Sequence, residues 1–205
     1  IMAFWNAPLD VEDQRKKAVH SALTMMSSLK GLNAELESEG LLPISIGIGL
    51  NTGSVVVGNM GSNQRFDYSC LGDAVNLASR LEGQSKGYGM KLILGAETAK
   101  GIERDFLVLE LDKIAVKGKK EGVNVYTALC EYRADWQLAA NRHAMFLDLY
   151  RKQQWDEAIL VATALESEFD GAMRAYYGIM KERIPDLREA GLGSDWDGVY
   201  VATSK

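Results

Sequence analysis

Apolar residues recur every three or four positions in the first part of the chain, which is the spacing of one face of an α-helix. They run from Ala18 to Leu36, and Gly40 follows them. Asp10, with Asp13 three residues later, predicts the start, because an aspartate oxygen can accept a hydrogen bond from a backbone N–H group of the first turn. The pattern therefore predicts one long amphipathic helix between Asp10 and Gly40.

A different pattern, alternation of apolar with small residues, follows over residues 44–50. Isoleucine and leucine alternate there with serine and glycine, which predicts a strand with one apolar face and one nearly bare face. We expect another element to pack closely on the bare face. The turn Asn51–Gly53 leads into Ser54–Val57, so Leu50 and Val55 are predicted to lie on paired antiparallel strands.

Further strands alternate with short helices up to about residue 130. The apolar run Ile1–Trp5, which ends at an Asn-Ala-Pro sequence, predicts a buried strand. Other predicted elements are a strand at Met90–Leu94, a short helix from Ala96, and a hairpin around Val116–Lys120 that Val123–Leu129 closes. This alternation predicts an α+β or α/β sandwich in which helices cover a mixed sheet.

The pattern changes to helices alone after about Tyr132. Pro185 is expected to end or kink the third of these helices, and Trp196–Thr203 is predicted to be an extended tail. We therefore divide the chain into a mixed domain, residues 1–132, and a small helical appendage, residues 133–205. The three predicted helices are Leu138–Gln153, Asp156–Phe169 and Ala172–Ile184.

The composition is that of a folded globular protein. The 205 residues are 47% hydrophobic and 25% charged, and the net charge is −5 without a long basic run, which argues against nucleic acid as the main partner.

Cys70 and Cys130 form no CxxC pair, which favours a reducing, cytoplasmic location. His20 and His143 stand apart from other metal-ligating residues, so a zinc site is not expected. No apolar run is long enough to span a bilayer, so any membrane anchor is expected outside this chain.

Two glycine spacings imitate nucleotide-binding motifs, but both lack required residues. Gly53 and Gly58 have the spacing of a phosphate-binding loop, yet asparagine and methionine follow Gly58 where lysine and serine or threonine are needed. Gly47 and Gly49 lack the third glycine of a dinucleotide-binding fingerprint and lie within a predicted strand. Close backbone packing explains these glycines better.

The stretch RFDYSCLGDAVNLASR, residues 65–80, carries the strongest chemical signal. After a turn at Gly72 its pattern is helical, with Asp73 predicted as the N-cap. Asn76 and Arg80, four residues apart, then project from one face of the helix. An amide there can orient a sugar, and a guanidinium can form paired hydrogen bonds with phosphate oxygens. Two such residues alone are common on ordinary surface helices, so the pair needs support from its surroundings.

Four ordered blocks provide that support, because together they resemble the catalytic domain of class III nucleotide cyclases. The similarity covers Ile1 to about Tyr132 and implies a ferredoxin-like α+β domain, with a mixed, largely antiparallel sheet and covering helices. The later segment, which ends in DWDGVY, resembles the tail of bacterial adenylate cyclases that carry a CHASE2 sensor upstream. The four blocks are IMAFWNAP, GIGLNTGSVVVGNMGSNQRFDY, GDAVNLASRLE and VKGK.

The resemblance implies conversion of ATP to 3′,5′-cyclic AMP and pyrophosphate for intracellular signalling. Arg80 matches the arginine that stabilises the transition state, and Asn76 matches the asparagine that orients the ribose. Lys117 matches the lysine that holds the triphosphate. Ser69 stands at the purine-reading position, where guanylate cyclases usually have cysteine, and its hydroxyl can accept a hydrogen bond from the adenine amino group. Adenylate specificity is therefore favoured, although a hydroxyl alone does not exclude guanine.

The remaining residues of the family's active site are expected outside this chain. Family members bind two Mg²⁺ or Mn²⁺ ions through two aspartates whose positions match residues before Ile1, and Asp67 and Asp73 match no metal ligand. The family's site forms between two head-to-tail domains, which implies a homodimer with active sites at the interface. This chain would supply the purine, ribose and transition-state half, and we expect it to be inactive alone. Two alternatives stay open, an inactive regulatory module that binds nucleotide and a guanylate cyclase.

Overall fold

The computed structural model describes residues 1–62, 65–115 and 122–200, and its elements confirm the predicted α+β class. No helix in these three ranges is long and apolar enough to cross a membrane. The helices are α1 (Gln14–Ser38), α2 (Asp73–Gly83), α3 (Ser85–Tyr88), α4 (Ala96–Ala99), α5 (Gln137–Arg151), α6 (Trp155–Leu165) and α7 (Arg174–Ala190). The strands are β1 (Ile48–Leu50), β2 (Val56–Ser62), β3 (Arg65–Leu71), β4 (Leu92–Gly95), β5 (Phe106–Ile114), β6 (Val123–Glu131) and β7 (Val199–Tyr200).

Five of these strands form one mixed sheet in the order β1-β4-β6-β5-β7, and β2 and β3 form a separate antiparallel hairpin. β1 and β4 are parallel, as are β5 and β7, whereas β6 is antiparallel to both β4 and β5. Ile114 pairs with Val123 across β5 and β6, which confirms the predicted hairpin. Residues 116–121, which connect these two strands along the chain, lie outside the described residues.

Helices cover both faces of the five-stranded sheet. On β4, Ile93 belongs to one hydrophobic cluster, and its neighbours Leu92 and Leu94 belong to another, because successive side chains of a strand point to opposite faces. The first cluster joins the sheet to α2, α3, α5, α6 and α7, and the second joins it to α1. The helices after Tyr132 thus share a core with the sheet, and the predicted domain boundary there stays a prediction.

Two strand predictions are wrong. Ile1–Trp5 forms no strand, and the side chain of Ile1 is fully exposed, because the apolar run pairs with no strand in the described part of the chain. β1 begins only at Ile48 and pairs in parallel with β4 instead of with the segment that follows it. This pairing packs Leu50 against the cluster beneath α1, whereas Val56 of the following strand is 70% exposed.

The predicted starts of two helices are also wrong. α1 begins at Gln14 rather than at Asp10, because Asp13 has a left-handed backbone with φ of +54° that does not continue a right-handed helix. The N-cap of α2 is Gly72 rather than Asp73, which is the first residue of the helix. Gly72 has φ of +153°, a backbone conformation that glycine adopts without a steric penalty.

The predicted end of the last helix at Pro185 is wrong, since α7 continues to Ala190. Pro185 is exposed, and Ile184 and Leu187 pack against the core on either side of it. This packing offsets the single backbone hydrogen bond that a proline removes. The predicted extended tail contributes a strand, because Val199–Tyr200 pair with β5, and residues 201–205 lie outside the described residues.

Candidate active site

Helix α2 lies against Gly49 of β1, and the first residue of α3 lies against Gly47 just before this strand, which confirms the close packing expected on the bare face. A Cβ atom on Gly49 would lie 2.2 Å from the Ala78 carbonyl oxygen and 2.3 Å from the Glu82 backbone nitrogen. A Cβ atom on Gly47 would lie 2.2 Å from Ser85 Oγ. These distances are too short for any side chain, so the glycines set how closely α2 approaches the sheet.

The loop between β1 and β2 holds the first turn of α2. Asn51 Nδ2 donates a hydrogen bond of 3.1 Å to the Ala74 carbonyl oxygen, and a Cβ atom on Gly53 would lie 2.8 Å from the Ala74 methyl group. Thr52 shares a hydrogen bond of 2.9 Å with Thr98 of α4. Contacts on the inner side and at the first turn of α2 therefore fix the position of this helix on the sheet.

The outer face of α2 carries the two predicted catalytic residues. Leu77 and Leu81 pack in the core, while Asn76 and Arg80 are exposed. The two polar residues are one helical turn apart, about 6 Å along the helix axis. The structure thus brings an amide and a guanidinium together on a surface that can bind a sugar and a phosphate.

Ser69, the predicted purine-reading residue, lies on β3, the strand that leads into α2. It is half-buried and pairs with Gly58 of β2. Gly72 alone separates β3 from α2, so Ser69 stays close along the chain to the first turn of the helix. Lys117 lies in the segment 116–121, outside the described residues, and its role stays a prediction.

The candidate site is an open surface bordered by apolar side chains. Two cavities, of about 320 and 330 Å³, lie between α6 and α7 and between α5 and β5, and neither includes Ser69, Asn76 or Arg80. Exposed apolar patches of this kind are typical of protein–protein contacts. The apolar side chains around the β2–β3 hairpin are Val55, Val56, Tyr68 and Leu71, each 39–70% exposed.

The described residues do not fit a metal site. They contain no group of three or more histidine, cysteine, aspartate or glutamate side chains that could hold one ion. Asp67 and Asp73, the acidic residues that flank Ser69 along the chain, are both exposed. The two ions that the resemblance implies would need other ligands.

The sequence prediction missed a buried polar cluster on the face of the sheet that α2 covers. Asp112 of β5 is 2% exposed and accepts hydrogen bonds from Tyr88 at 2.8 Å and Arg183 at 2.7 Å. Burial raises the pKa of the Asp112 carboxyl above its ordinary value, and the Arg183 guanidinium opposes this shift. An aspartate within the largely apolar strand β5 is the signal that could have indicated the cluster.

His143 of α5 is a second buried polar residue beneath the sheet. Its Nε2 atom lies 2.5 Å from the Glu110 carbonyl oxygen, and its Nδ1 atom lies 2.8 Å from Tyr177 Oη. A carbonyl oxygen only accepts, so Nε2 carries the proton and Nδ1 accepts a hydrogen bond from the Tyr177 hydroxyl. Burial lowers the pKa of His143 to about 4, which keeps the ring neutral at physiological pH.

Comparison with known proteins shows the family. The family described as the adenylate and guanylate cyclase catalytic domain matches residues 2–129, and the chain therefore belongs to this family, the class III nucleotide cyclases. The adenylate cyclase of Anabaena cylindrica is 37% identical over 116 residues, which cover 53% of this chain and 23% of that protein. Adenylate cyclase 1 of Rhizobium meliloti (strain 1021) is 30% identical over 134 residues, 65% of this chain and 20% of that protein. The chain thus spans less than a quarter of the length of these relatives.

Solved cyclase structures share the fold of this chain. The adenylyl cyclase CyaB from P. aeruginosa is 29% identical, with a TM-score of 0.52 over 63% of this chain and 66% of that chain. The guanylate cyclase domain of RhGC from Catenaria anguillulae, in complex with GTP, is 31% identical, with a TM-score of 0.53 over 62% of this chain and 65% of that chain. These similarities confirm the predicted cyclase catalytic domain fold.

Proposed function

We propose that this chain supplies the purine-, ribose- and transition-state-binding half of an adenylate cyclase active site. The observation that carries the proposal is the shared exposed face of α2, where Asn76 and Arg80 lie one turn apart. Membership of the cyclase family supports the reaction class. The curated relatives named adenylate cyclase support ATP as the substrate.

In the proposed reaction the ribose 3′-hydroxyl releases its proton to solvent, and its oxygen attacks the α-phosphorus of ATP. The bond from that phosphorus to the bridging oxygen breaks, and pyrophosphate leaves. Asn76 holds the ribose so that its 3′-oxygen faces the phosphorus, which lowers the entropic part of the barrier. Negative charge grows on the phosphoryl oxygens during the attack, and the Arg80 guanidinium stabilises it through charge-assisted hydrogen bonds.

Ser69 is the proposed contact to the purine. Its hydroxyl accepts a hydrogen bond from the adenine amino group, and it can also donate one. A hydroxyl therefore favours adenine without a strong penalty against guanine, so Ser69 alone gives modest selectivity. Lys117, known here only from the sequence, would hold the triphosphate.

The second half of the site would come from another cyclase domain, in the simplest case a second copy of this chain's protein. Among the exposed apolar side chains of the β2–β3 hairpin, Tyr68 and Leu71 lie on β3, the strand that leads into α2. Burial of these apolar side chains in a dimer would be favourable. Two Mg²⁺ or Mn²⁺ ions bound by carboxylates of that other part would supply activation of the 3′-oxygen.

A mixing experiment tests the proposed function. The chain is combined with a homologous cyclase domain that keeps its metal-binding aspartates but has alanine in place of its own transition-state arginine. We expect the mixture to form cyclic AMP from ATP, while each component alone forms almost none. Faster formation of cyclic GMP from GTP than of cyclic AMP from ATP would indicate a guanylate cyclase instead. A heterodimer that binds nucleotide without forming either product would contradict the proposal and support a regulatory module.

A further inference from the structure

Arg183 of α7 lies where four elements meet. Its guanidinium donates to Asp112 of β5 at 2.7 Å, and it lies 4.9 Å from the ring of Tyr88 on α3 and 3.9 Å from the ring of Tyr200 on β7. The side chains of the ion pair are 12% exposed for Arg183 and 3% exposed for Asp112. Removal of one partner from a buried ion pair leaves an uncompensated charge, so separation of Arg183 from Asp112 is costly.

Asp112 connects this ion pair to α3. Its Oδ2 atom accepts hydrogen bonds from both Arg183 and the hydroxyl of Tyr88, while its Oδ1 atom accepts the Lys113 backbone N–H group at 2.8 Å. The carboxylate is thus held on its own strand and joins α7 to Tyr88. The side chain of Tyr88 is 1% exposed and packs in the core shared by the sheet and the C-terminal helices.

Two backbone hydrogen bonds connect Tyr88 to Arg80. The Tyr88 N–H group donates to the Gln84 carbonyl oxygen at 3.1 Å, and the Gln84 N–H group donates to the Arg80 carbonyl oxygen at 3.2 Å. Gln84 alone separates α2 from α3. Backbone hydrogen bonds through Gln84 therefore join Tyr88 to the turn of α2 that carries Arg80.

α7 also limits the end of α3 sterically. A Cβ atom on Gly89, which follows Tyr88, would lie 2.8 Å from the Cβ atom of Ala175 and 3.3 Å from Cδ1 of Ile179. Both contacted residues belong to α7. The C-terminal helix thus restricts α3 at its last residue and at the glycine beyond it.

We propose that Arg183 is a positioning residue for Arg80, and that α7 holds the end of α2 in its active geometry through Asp112 and Tyr88. The inference rests on the proposed function, because it concerns how the transition-state arginine is held. It assigns the C-terminal helices a part in the active site although none of the described site residues lies on them.

Hydrogen exchange of the 205-residue chain tests the connection without nucleotide. Tyr88→Phe removes the hydroxyl that binds Asp112 and leaves the Asp112–Arg183 pair intact. Arg183→Met removes the pair itself. We expect backbone amides of residues 80–88 to exchange about fivefold faster in the first variant and about tenfold faster in the second, while amides of α6 change less than about twofold.

Arg188→Met is the matched control. Arg188 lies on the same helix and also pairs with an aspartate, Asp156, but its side chain is 50% exposed and that of Asp156 is 84% exposed. Its replacement should leave exchange in residues 80–88 unchanged. Equal acceleration in residues 80–88 and in α6, in either test variant, would show a general loss of stability and overturn the proposal. If Arg183→Met does not fold, Tyr88→Phe decides.

Product formation provides the second measurement. In the mixing experiment, Arg183→Met should lower kcat about tenfold while KM changes less than about twofold, because a misplaced arginine acts on the transition state rather than on substrate binding. Unchanged kcat despite faster exchange in residues 80–88 would overturn the positioning role. Failure of the unmodified mixture to form product would refute the proposed function and, with it, the role toward Arg80, whereas the exchange data would still show the structural connection.

Discussion

The polar residues on the outer face of α2 and the polar residues buried between the sheet and α7 differ in how they are held. Asn76 and Arg80 are exposed on α2, whose position is set by glycines and a loop on its other side. Asp112 and Arg183 are buried and bonded to each other. An exposed polar group stays in contact with water at little cost to folding, whereas a buried one must be satisfied inside the protein. The difference distinguishes the residues that we propose to contact substrate from residues that stabilise the fold.

The largest expected effect is the loss of activity on replacement of Arg80. Arg80→Ala should lower product formation in the mixing experiment at least about a hundredfold, because the developing phosphoryl charge loses its cation. The free energy of unfolding should change by less than about 1 kcal/mol, since the residue is exposed. Steady-state kinetics and urea unfolding measure the two quantities. Ser79→Ala, at the exposed neighbouring position, is the control, and a loss smaller than tenfold for Arg80→Ala would contradict its role.

The next effect is a loss of stability in acid that arises from His143. Its pKa of about 4 in the folded chain is below the ordinary value of about 6.5. Between these values the unfolded chain binds a proton that the folded chain does not, so stability falls as pH decreases from about 6.5 to about 4, by about 3 kcal/mol. Urea unfolding at several pH values should show a smaller slope for His143→Gln. The exposed residue His20 gives the control, and an equal reduction in slope for His20→Gln would argue against burial as the cause.

A smaller loss of stability is expected when an added methyl group pushes α2 away from the sheet. Gly49→Ala places a methyl group against the Ala78 and Glu82 backbone and should destabilise the chain by about 2 kcal/mol through overpacking. Gly58→Ala is the matched control, because a Cβ atom there would meet no atom within 4 Å. Thermal and urea unfolding compare the two variants. Similar stability for both would show that α2 can shift without cost.

The smallest effect is expected for an exposed ion pair on α7. Arg188→Met removes the pair with Asp156, in which the side chains are 50% and 84% exposed, and should change the free energy of unfolding by less than about 0.5 kcal/mol. Arg183→Met on the same helix should cost several times more, since it leaves Asp112 buried without its cation. Urea unfolding of the two variants compares the pairs directly, and equal losses would remove the distinction between exposed and buried polar residues.

The sequence predicts the elements that local periodicity determines. The helical spacing locates α1 and α2, and the hairpin of β5 and β6 follows from apolar segments around a turn. Local periodicity does not predict which strands pair, because pairing depends on which arrangement buries more apolar surface. β1 therefore pairs with β4 rather than with the next segment. The helix predicted to end at Ile184 continues past Pro185 for the same reason, since packing on both sides of the proline outweighs the local preference.

The polar residues of the structure likewise include some that the sequence predicts and some that it does not. The common exposed face of Asn76 and Arg80 follows from helical geometry alone and is present in the structure. The contact between Asp112 and Arg183 joins residues 71 positions apart. The local sequence around Asp112 does not indicate that Arg183 is its partner. The role of Lys117 stays a prediction from resemblance, because it lies outside the described residues.

The most direct test of the central claim is to locate bound nucleotide on the chain. Hydrogen exchange is measured in the mixture with the metal-competent partner, with and without 3′-deoxy-ATP, which lacks the attacking hydroxyl and so is not cyclised. We expect slower exchange in β3 and in α2, residues 65–83, and no change in α6. Protection confined to the cavity between α5 and β5, with residues 65–83 unaffected, would contradict it.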